Sequence, residues 1–568
     1  MRARLGFGVL FFFACSSSSS STTTSGSSTH DAGAGDVAHP VDARAEAEAA
    51  SNAPPLDCSQ DDPDWPTYNH DVCNSRAPST AGGISTQTAA KLAVKWTYAA
   101  AGEVTMTPAV VGNAVYVGDW GGTLARLDAT TGQPVWSKSV ADLAGWGPTG
   151  DAGDAGGPPD PVLVRATPLV TSSAVVFGVT RDGFSSTQSL AYLVAVDPNT
   201  GALLWKTLLD DHPAAVMTGS PVLEGSRIFV GVSSLEEAIT LLNPSAKCCT
   251  FRGSVVALDA ATGQIVWKTP MIDDATYFQS DGKTPAGYAG AAVWSGVPTV
   301  DRHRQRLYVT TGNNYAMPSG VSSPPAGDHV ESIMALDMAT GAIVWARSMT
   351  TGDVWTFTEQ SGPDYDFGCG ANLFQGSVGG VTRDLVGAGQ KSGTYWALDP
   401  DTGDTVWKTK VGPGGHLGGI HWGTAYDGAR LYLGVNDNDG SSYALQGSGS
   451  QSGQSVTTGS WGALDPTSGD VLWQIADPAL PKPLNGASVN GPVTVVGGVM
   501  FAGSMDAQGT MYALDAKTGA VLWSFAAGGT VYGGPAVSGG VVYWGAGYPL
   551  GRLGFGSSAK KLYAFAPQ

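Results

Sequence analysis

Residues 255–267 read VVALDAATGQIVW, and the fold follows from them. An apolar run enters Asp-x-x-Thr-Gly and leaves as a second apolar run ending on tryptophan. That is two short strands about a tight turn, with the aspartate capping it and the glycine supplying positive φ. The unit recurs at 124–136 (LARLDATTGQPVW), 193–205 (LVAVDPNTGALLW), 333–345 (IMALDMATGAIVW), 395–407 (YWALDPDTGDTVW), 461–473 (WGALDPTSGDVLW) and 511–523 (MYALDAKTGAVLW). Two further strand-like runs precede most copies, as in TPAVVGNAVYVGD before the first. Four strands per unit, repeated along the chain, predict a β-propeller. Two half-units complete the count. KLAVKWTY around Trp96 matches only the last strand of a unit, and the C-terminal KKLYAFAPQ only the strand before it. Joined, they make an eighth blade and remove both free sheet edges. The expectation is an all-β, eight-bladed propeller over residues 58–568, its ring closed by the N- and C-terminal strands.

Composition agrees. In 568 residues, 42% are apolar, enough for a large core, and 79 glycines with 17 tryptophans suit short strands and tight turns. A net charge of −18 argues against nucleic acid or an anionic membrane surface as partner. Residues 1–4 are basic, 5–13 apolar but too short to span a bilayer, and Ala14-Cys15 leads into a Ser/Thr tract. This pattern resembles a bacterial lipoprotein signal (residues 1–15), which implies lipid on Cys15 and, with Ser16 next, an outer-membrane anchor. An ordinary cleaved signal is the alternative. Either implies export to the periplasm or cell surface. Residues 16–57, rich in Ser and Ala and without hydrophobic period, are expected to be a disordered tether.

Within residues 218–259, Glu236 and Glu237 stand at the end of a strand pattern, Cys248 and Cys249 are adjacent, and Arg252 follows. Adjacent cysteines pair only in an oxidising compartment. A carboxylate, a vicinal disulfide and an arginine on one loop suit a planar anionic cofactor beside a cation. A surface loop with two free thiols is the plain alternative.

The tryptophan-ended unit resembles the quinoprotein propeller repeat, that of alcohol dehydrogenases carrying pyrroloquinoline quinone (PQQ). Outer-membrane assembly lipoproteins use the same blades without a cofactor, so a cofactor-free scaffold is the competing reading. Site motifs favour the dehydrogenases. The order Thr218, Pro221, Gly231, Ser233, Glu236 resembles theirs, which implies Glu236 as metal ligand and Thr218 and Ser233 as contacts to cofactor carboxylates. Glu237 is the alternative ligand, because a one-residue strand slip exchanges faces. Cys248-Cys249-Thr250-Phe251-Arg252-Gly253 resembles the family's disulfide that covers one face of PQQ and the arginine that pairs a carboxylate. Its position after the glutamates is similar to polyvinyl alcohol dehydrogenases. By resemblance Trp294 stacks on the other quinone face, although an inter-blade tryptophan is the alternative, and Asn313 supplies an amide to the metal. Oxygen donors suit Ca²⁺.

GPDYDFG resembles the segment carrying the catalytic base, which is Asp364 or Asp366 depending on register, with Asp364 also a metal ligand. In relatives a second aspartate adds a ligand that suits a lanthanide. Lys391 resembles the basic residue near the quinone's reactive oxygens, the resemblance of residues 416–423 to polyvinyl alcohol dehydrogenases implies that Trp422 lines the site, and His421 is expected to be a packed histidine. The resemblance implies that aspartate removes the hydroxyl proton of an alcohol while its carbinol hydride passes to quinone C5, polarised by the cation. Cys58 and Cys73 bracket a segment, WPTYNHD, that resembles the start of these enzymes, and are expected to pair. The chain carries no Cys-x-x-Cys-His haem motif, so electrons are expected to leave to a separate acceptor such as cytochrome c.

Overall fold

A computed structural model of the protein describes residues 52–58, 64–146, 162–181, 190–242, 248–294, 297–479, 489–548 and 556–568. Each Asp-x-x-(Thr/Ser)-Gly turn closes on itself as its residue types dictate. In the 259–263 turn, Asp259 Oδ1 accepts from Thr262 N (2.9 Å), Thr262 Oγ1 (2.8 Å) and Ala261 N (3.2 Å). The two flanking strands, Ser254–Asp259 and Ile265–Pro270, pair antiparallel with a bulge.

Seven such hairpins and one pair of strands from the two chain ends, each extended inward by two more strands, form eight antiparallel blades, with short extra strands on two of them. The first runs Ala109–Val111, Ala114–Gly118, Thr123–Asp128, Pro134–Ser139, from the buried centre to the exposed rim. The closing blade is ordered Leu92–Ala99, Lys561–Pro567, Val541–Ala546, Ala536–Ser538, so the two chain ends pair as expected.

The terminal tryptophan of each unit fastens one blade to the next. Trp96, Trp136, Trp205, Trp267, Trp345, Trp407 and Trp473 each donate Nε1–H to the carbonyl just after the next blade's turn aspartate, at 3.0–3.3 Å. Trp523 completes the ring on Leu92 O at 2.8 Å. The turn glycine is required twice over: Gly263 has φ 70°, and a Cβ there would lie 2.4 Å from the Trp205 ring. Each clasp contributes about 1 kcal/mol beyond the area it buries.

The segment before the first blade threads the central channel and touches the inner edge of every blade in turn. Trp65 pairs with Val110, Pro66 O accepts from Val170 N, and Thr67 Oγ1 donates to Pro221 O. Val72, Cys73, Ser75 and Arg76 carbonyls then accept from Val300, Leu373, Tyr426 and Val495 amides at 2.8–3.1 Å. Arg76, fully buried, reaches the eighth blade at Pro535 O (3.3 Å). Burial lowers its pKa to about 10, and among the described residues carbonyl and hydroxyl oxygens surround it without a carboxylate. The Cys58–Cys73 disulfide anchors the segment's start.

The tether expectation for 16–57 fails at its end. Asn52, Ala53 and Pro54 hydrogen-bond Thr382 and Gln375, and Asp57 pairs with Arg302 at 3.0 Å. Composition marks these residues as unable to build a core, but they lie on one already built. Residues 1–51, including Cys15, lie outside the described residues. No helix among the described residues is long and apolar enough to cross a membrane.

Candidate active site

The site begins where strand Arg227–Ser234 of the third blade ends. Glu236 and Glu237 do not continue that strand. They open a helix, Glu236–Leu242, whose first amide is held by Ser234 Oγ at 2.9 Å. The two side chains therefore leave a helical turn in different directions. Glu236 is fully engaged: its carboxylate accepts from Thr250 N (2.9 and 3.0 Å) and Phe251 N (2.8 Å), with His212 Nε2 at 3.6 Å. It fastens the disulfide loop. Glu237 Oε2 is buried and has no hydrogen-bond partner. Burial raises its pKa to about 8, opposed by Lys391 and reinforced by Asp366. The geometry thus leaves Glu237, the alternative at the sequence level, free to bind a cation, and commits Glu236 elsewhere.

Cys248 and Cys249 are joined as a vicinal disulfide across a cis peptide. Cys249 and Trp294 pack against the same core cluster. Thr218 Oγ1 lies 2.6 Å from Ser233 Oγ and donates to Trp294 O. Trp294 makes no inter-blade clasp. Its Nε1 is buried and unpartnered, and its indole packs on Gly312, where a Cβ would lie 2.7 Å from Nε1 and 2.4 Å from Asp366 Oδ1.

Asn313 comes next in the chain and is fully buried. Its Nδ2 donates to Asn314 O and Trp355 O at 2.8 Å, while Oδ1 has no partner. Asp366 Oδ1 accepts from Asn313 N at 2.6 Å. Lys391 Nζ donates to Asp366 Oδ2 at 2.6 Å and to both oxygens of Asp364 at 3.0 and 3.1 Å. Asp364 has φ 58°, a conformation aspartate tolerates better than most residues. Asp353 holds it there, accepting from Asp364 N (3.0 Å) and Tyr365 N (2.7 Å).

Burial raises the Asp364 pKa well above the carboxylate range; Lys391 opposes this, and Asp366 and Glu237 add to it. Burial alone would lower the Lys391 pKa, but Asp364, Asp366 and Glu237 raise it instead, so the amine is charged. Three carboxylates face one ammonium, an excess of acid that a cation would relieve. Among the described residues no three His, Cys, Asp or Glu side chains converge on one point. A cation here would therefore draw on the Asn313 amide oxygen and on cofactor atoms as well as carboxylate. The unpartnered Asn313 Oδ1 and Glu237 Oε2 fit that requirement.

One expected residue sits differently. Arg252 is turned to Asp274 (2.6 Å) and Ile272 O (3.0 Å) and stacks over Tyr277 and Phe278, apart from this cluster. An ion pair and two aromatic faces hold it there. Trp422, with φ 59° and an unpartnered buried Nε1, lines a small cavity with Thr218. His421 is packed, with Nε2 on Gly418 O at 2.6 Å and its pKa lowered to about 3 by burial and Lys391.

Sequence reasoning missed three residues. Arg165 lines the Thr218–Trp422 cavity, its guanidinium 5.3 Å over Trp120 and 5.9 Å over Trp422, with no ion pair among the described residues. A lone arginine in the apolar run VLVRATP was the available signal. Asp353 orients the DYDFG loop. Glu331 is fully buried; Oε2 accepts from Gln390 Nε2 at 3.0 Å and Oε1 has no partner.

Comparison with known proteins bears on the family and the fold. Residues 213–414 match the family described as glucose/ethanol/alcohol dehydrogenase, beta-propeller domain. Residues 78–242 and 457–561 match that described as outer membrane protein assembly factor BamB. The polyvinylalcohol dehydrogenase of a Pseudomonas sp. is 31% identical over 526 residues, covering 87% of this chain and 74% of that protein. That of Sphingopyxis sp. (strain 113P3) is 32% identical, covering 81% and 68%. The solved quinohemoprotein alcohol dehydrogenase from Comamonas testosteroni superposes with TM-score 0.65 at 20% identity, covering 89% of this chain and 80% of its own, which speaks for the fold.

Proposed function

The chain belongs to the PQQ-dependent alcohol dehydrogenase family that includes the polyvinylalcohol dehydrogenases, and we propose that it oxidises secondary hydroxyl groups, those of a polyvinyl alcohol-type polymer among them, with Asp364 as base. The observation that carries this reading is Lys391 held between Asp364 and Asp366 beside the unpartnered Asn313 Oδ1.

Asp364 is the better base because Lys391 is the one donor to its carboxylate among the described residues, whereas Asp366 also holds the Asn313 amide. Its carboxylate removes the hydroxyl proton as the carbinol is oxidised. Lys391 opposes the rise that burial imposes on that carboxylate's pKa, and its ammonium would stabilise negative charge developing on an acceptor oxygen. Asp353 fixes the base's direction, and Asp366 fixes Asn313. Glu237 and Asn313 would hold the cation, and the oxygen set suits Ca²⁺, with Asp366 a further donor for a lanthanide. Thr218, Ser233 and Arg165 would receive the carboxylates of PQQ, between Trp294 and the Cys248–Cys249 disulfide. When bound, quinone and cation supply the two-electron acceptor and the Lewis acidity that activates it. The electrons pass on to a separate acceptor such as cytochrome c. Export, with lipid on Cys15, completes the reading.

A cofactor-free scaffold finds support in the assembly-factor match, but that match leaves out Asn313, Asp364, Asp366 and Lys391. Repeat likeness alone does not call for a buried acid–lysine cluster. Purified protein incubated with PQQ and Ca²⁺ should retain quinone absorbance through gel filtration and reduce dye with a secondary alcohol. Loss of both properties supports the scaffold.

A further inference from the structure

We infer that the cleft beside the disulfide is a binding track for an uncharged, unbranched polyhydroxy chain, whose units flank the carbinol being oxidised. This rests on the alcohol-oxidising reading above and extends it to how the substrate is held. The cleft has a volume of about 870 Å³ and is bordered by segments 315–322 and 352–361, with Cys248 also in its lining. Pockets that enclose drug-sized molecules run about 300–1,000 Å³. One carbinol and its two neighbouring carbons need only a small part of that space.

The walls lead into the site. The first wall begins two residues after Asn313. The second begins beside Asp353, the residue that holds Asp364 and Tyr365. At their base the walls are joined by Asn314 N to Asp353 O (3.2 Å) and Trp355 N to Asn314 O (2.9 Å). A chain lying between them therefore approaches the base from one side.

The lining chemistry selects the ligand. Hydroxyls of Ser319, Ser322, Thr358 and Ser361 are interspersed with the apolar side chains of Met317 and Val321. A chain of alternating methylene and carbinol groups offers both partners in the same repeat. Among the described residues Glu359 is the one charged residue of the lining, and Ser361 Oγ donates to its Oε1. An anionic polymer finds no complementary charge among these residues, and a cationic one finds a single carboxylate against a repeat of charges. Tyr315 is the one aromatic among the described residues that line the cleft, so a sugar ring finds little face to stack on.

The test uses the PQQ- and Ca²⁺-loaded enzyme with polyvinyl alcohol and with isopropanol. Ser322→Trp and Thr358→Trp, one on each wall and both at exposed positions, fill the cleft without touching the acid–lysine cluster. Each should raise KM for the polymer at least about tenfold, a loss of about 1.4 kcal/mol, and leave kcat/KM for isopropanol within about twofold. Two variants on opposite walls guard against one that folds poorly. Unchanged polymer KM in variants active on isopropanol overturns the track alone. Parallel loss on both substrates in folded variants also overturns it. A loaded wild type that oxidises neither alcohol sinks the alcohol-oxidising reading, and the track with it.

Discussion

Exchanging each of the adjacent glutamates for glutamine separates the two tasks that the helix start assigns them. Glu236 accepts from Thr250 N and Phe251 N at 2.8–3.0 Å in a buried setting. Hydrogen bonds to a charged group contribute about 1.5–3 kcal/mol each. Glu236→Gln keeps one acceptor but turns an NH₂ toward backbone N–H, so one bond is lost and one weakened, at a cost of about 2–3 kcal/mol. A chain of this size loses about 1 °C in Tm per kcal/mol, which predicts a fall of about 2–3 °C with cation binding retained. Glu237→Gln should behave in the opposite way. Its Oε2 has no donor to lose and burial already disfavours its charge, so Tm without cation stays level or rises. Cation affinity should fall at least about tenfold, about 1.4 kcal/mol, read by Tb³⁺ luminescence and by calorimetry with Ca²⁺. If Glu236→Gln instead loses the cation at unchanged Tm while Glu237→Gln keeps it, the assignment made from the helix turn is wrong.

Asp364→Asn should lower turnover by about 100- to 10,000-fold while quinone retention is kept. Asp366→Asn should mainly weaken cation binding through the released Asn313 amide, and the reverse pattern would move the base to Asp366. Glu331→Gln tests a buried acid by stability: burial, then Asp366, Asp353 and Asp364, raise its folded pKa well above 4.5. The folded state then binds more protons than the unfolded, so stability is lost as pH rises from about 4.5, by about 1.4 kcal/mol for each pH step until the folded carboxyl itself ionises. The variant's Tm advantage should grow between about pH 5 and pH 8, and a constant difference would contradict the buried-acid account. Cys15→Ser should move the protein to the soluble fraction, and a variant still on the membrane would dismiss the lipid anchor.

The fold is legible because each marked residue of the repeat has a local and a neighbouring duty. Aspartate caps its turn, glycine admits the previous blade's indole, and tryptophan donates to the carbonyl after the next aspartate, so all three recur together. The channel segment is legible as a motif but its path is not. Its partners lie up to hundreds of residues away, and Arg76 reads as a surface charge until the carbonyls around it are placed. Arg165 and Glu331 stay hidden for the same reason, since a single charged residue in a strand pattern looks solvent-facing. Glu236 and Glu237 read as strand because SSLEE follows RIFVGV. The later EEAITLL, with acids first and good helix formers after, is the sequence signal of a helix start.

That helix start also bears on why the disulfide follows the glutamates in this chain. Glu236 grips Thr250 and Phe251, the two residues directly after Cys249, so the disulfide loop is tied to the same turn that projects Glu237. Tyr277 adds a second tie, donating its hydroxyl to Thr250 O at 2.5 Å. A cofactor face and a cation ligand that come from separate blades must be positioned by the whole ring. On the proposed reading one hydrogen-bonded loop would set the spacing between them. Cutting the Glu236 tie should therefore loosen the loop, seen as faster reduction of Cys248–Cys249 by added thiol. Glu237→Gln should leave that rate unchanged and weaken the cation alone, and equal reduction rates in both variants would detach the loop from the helix turn.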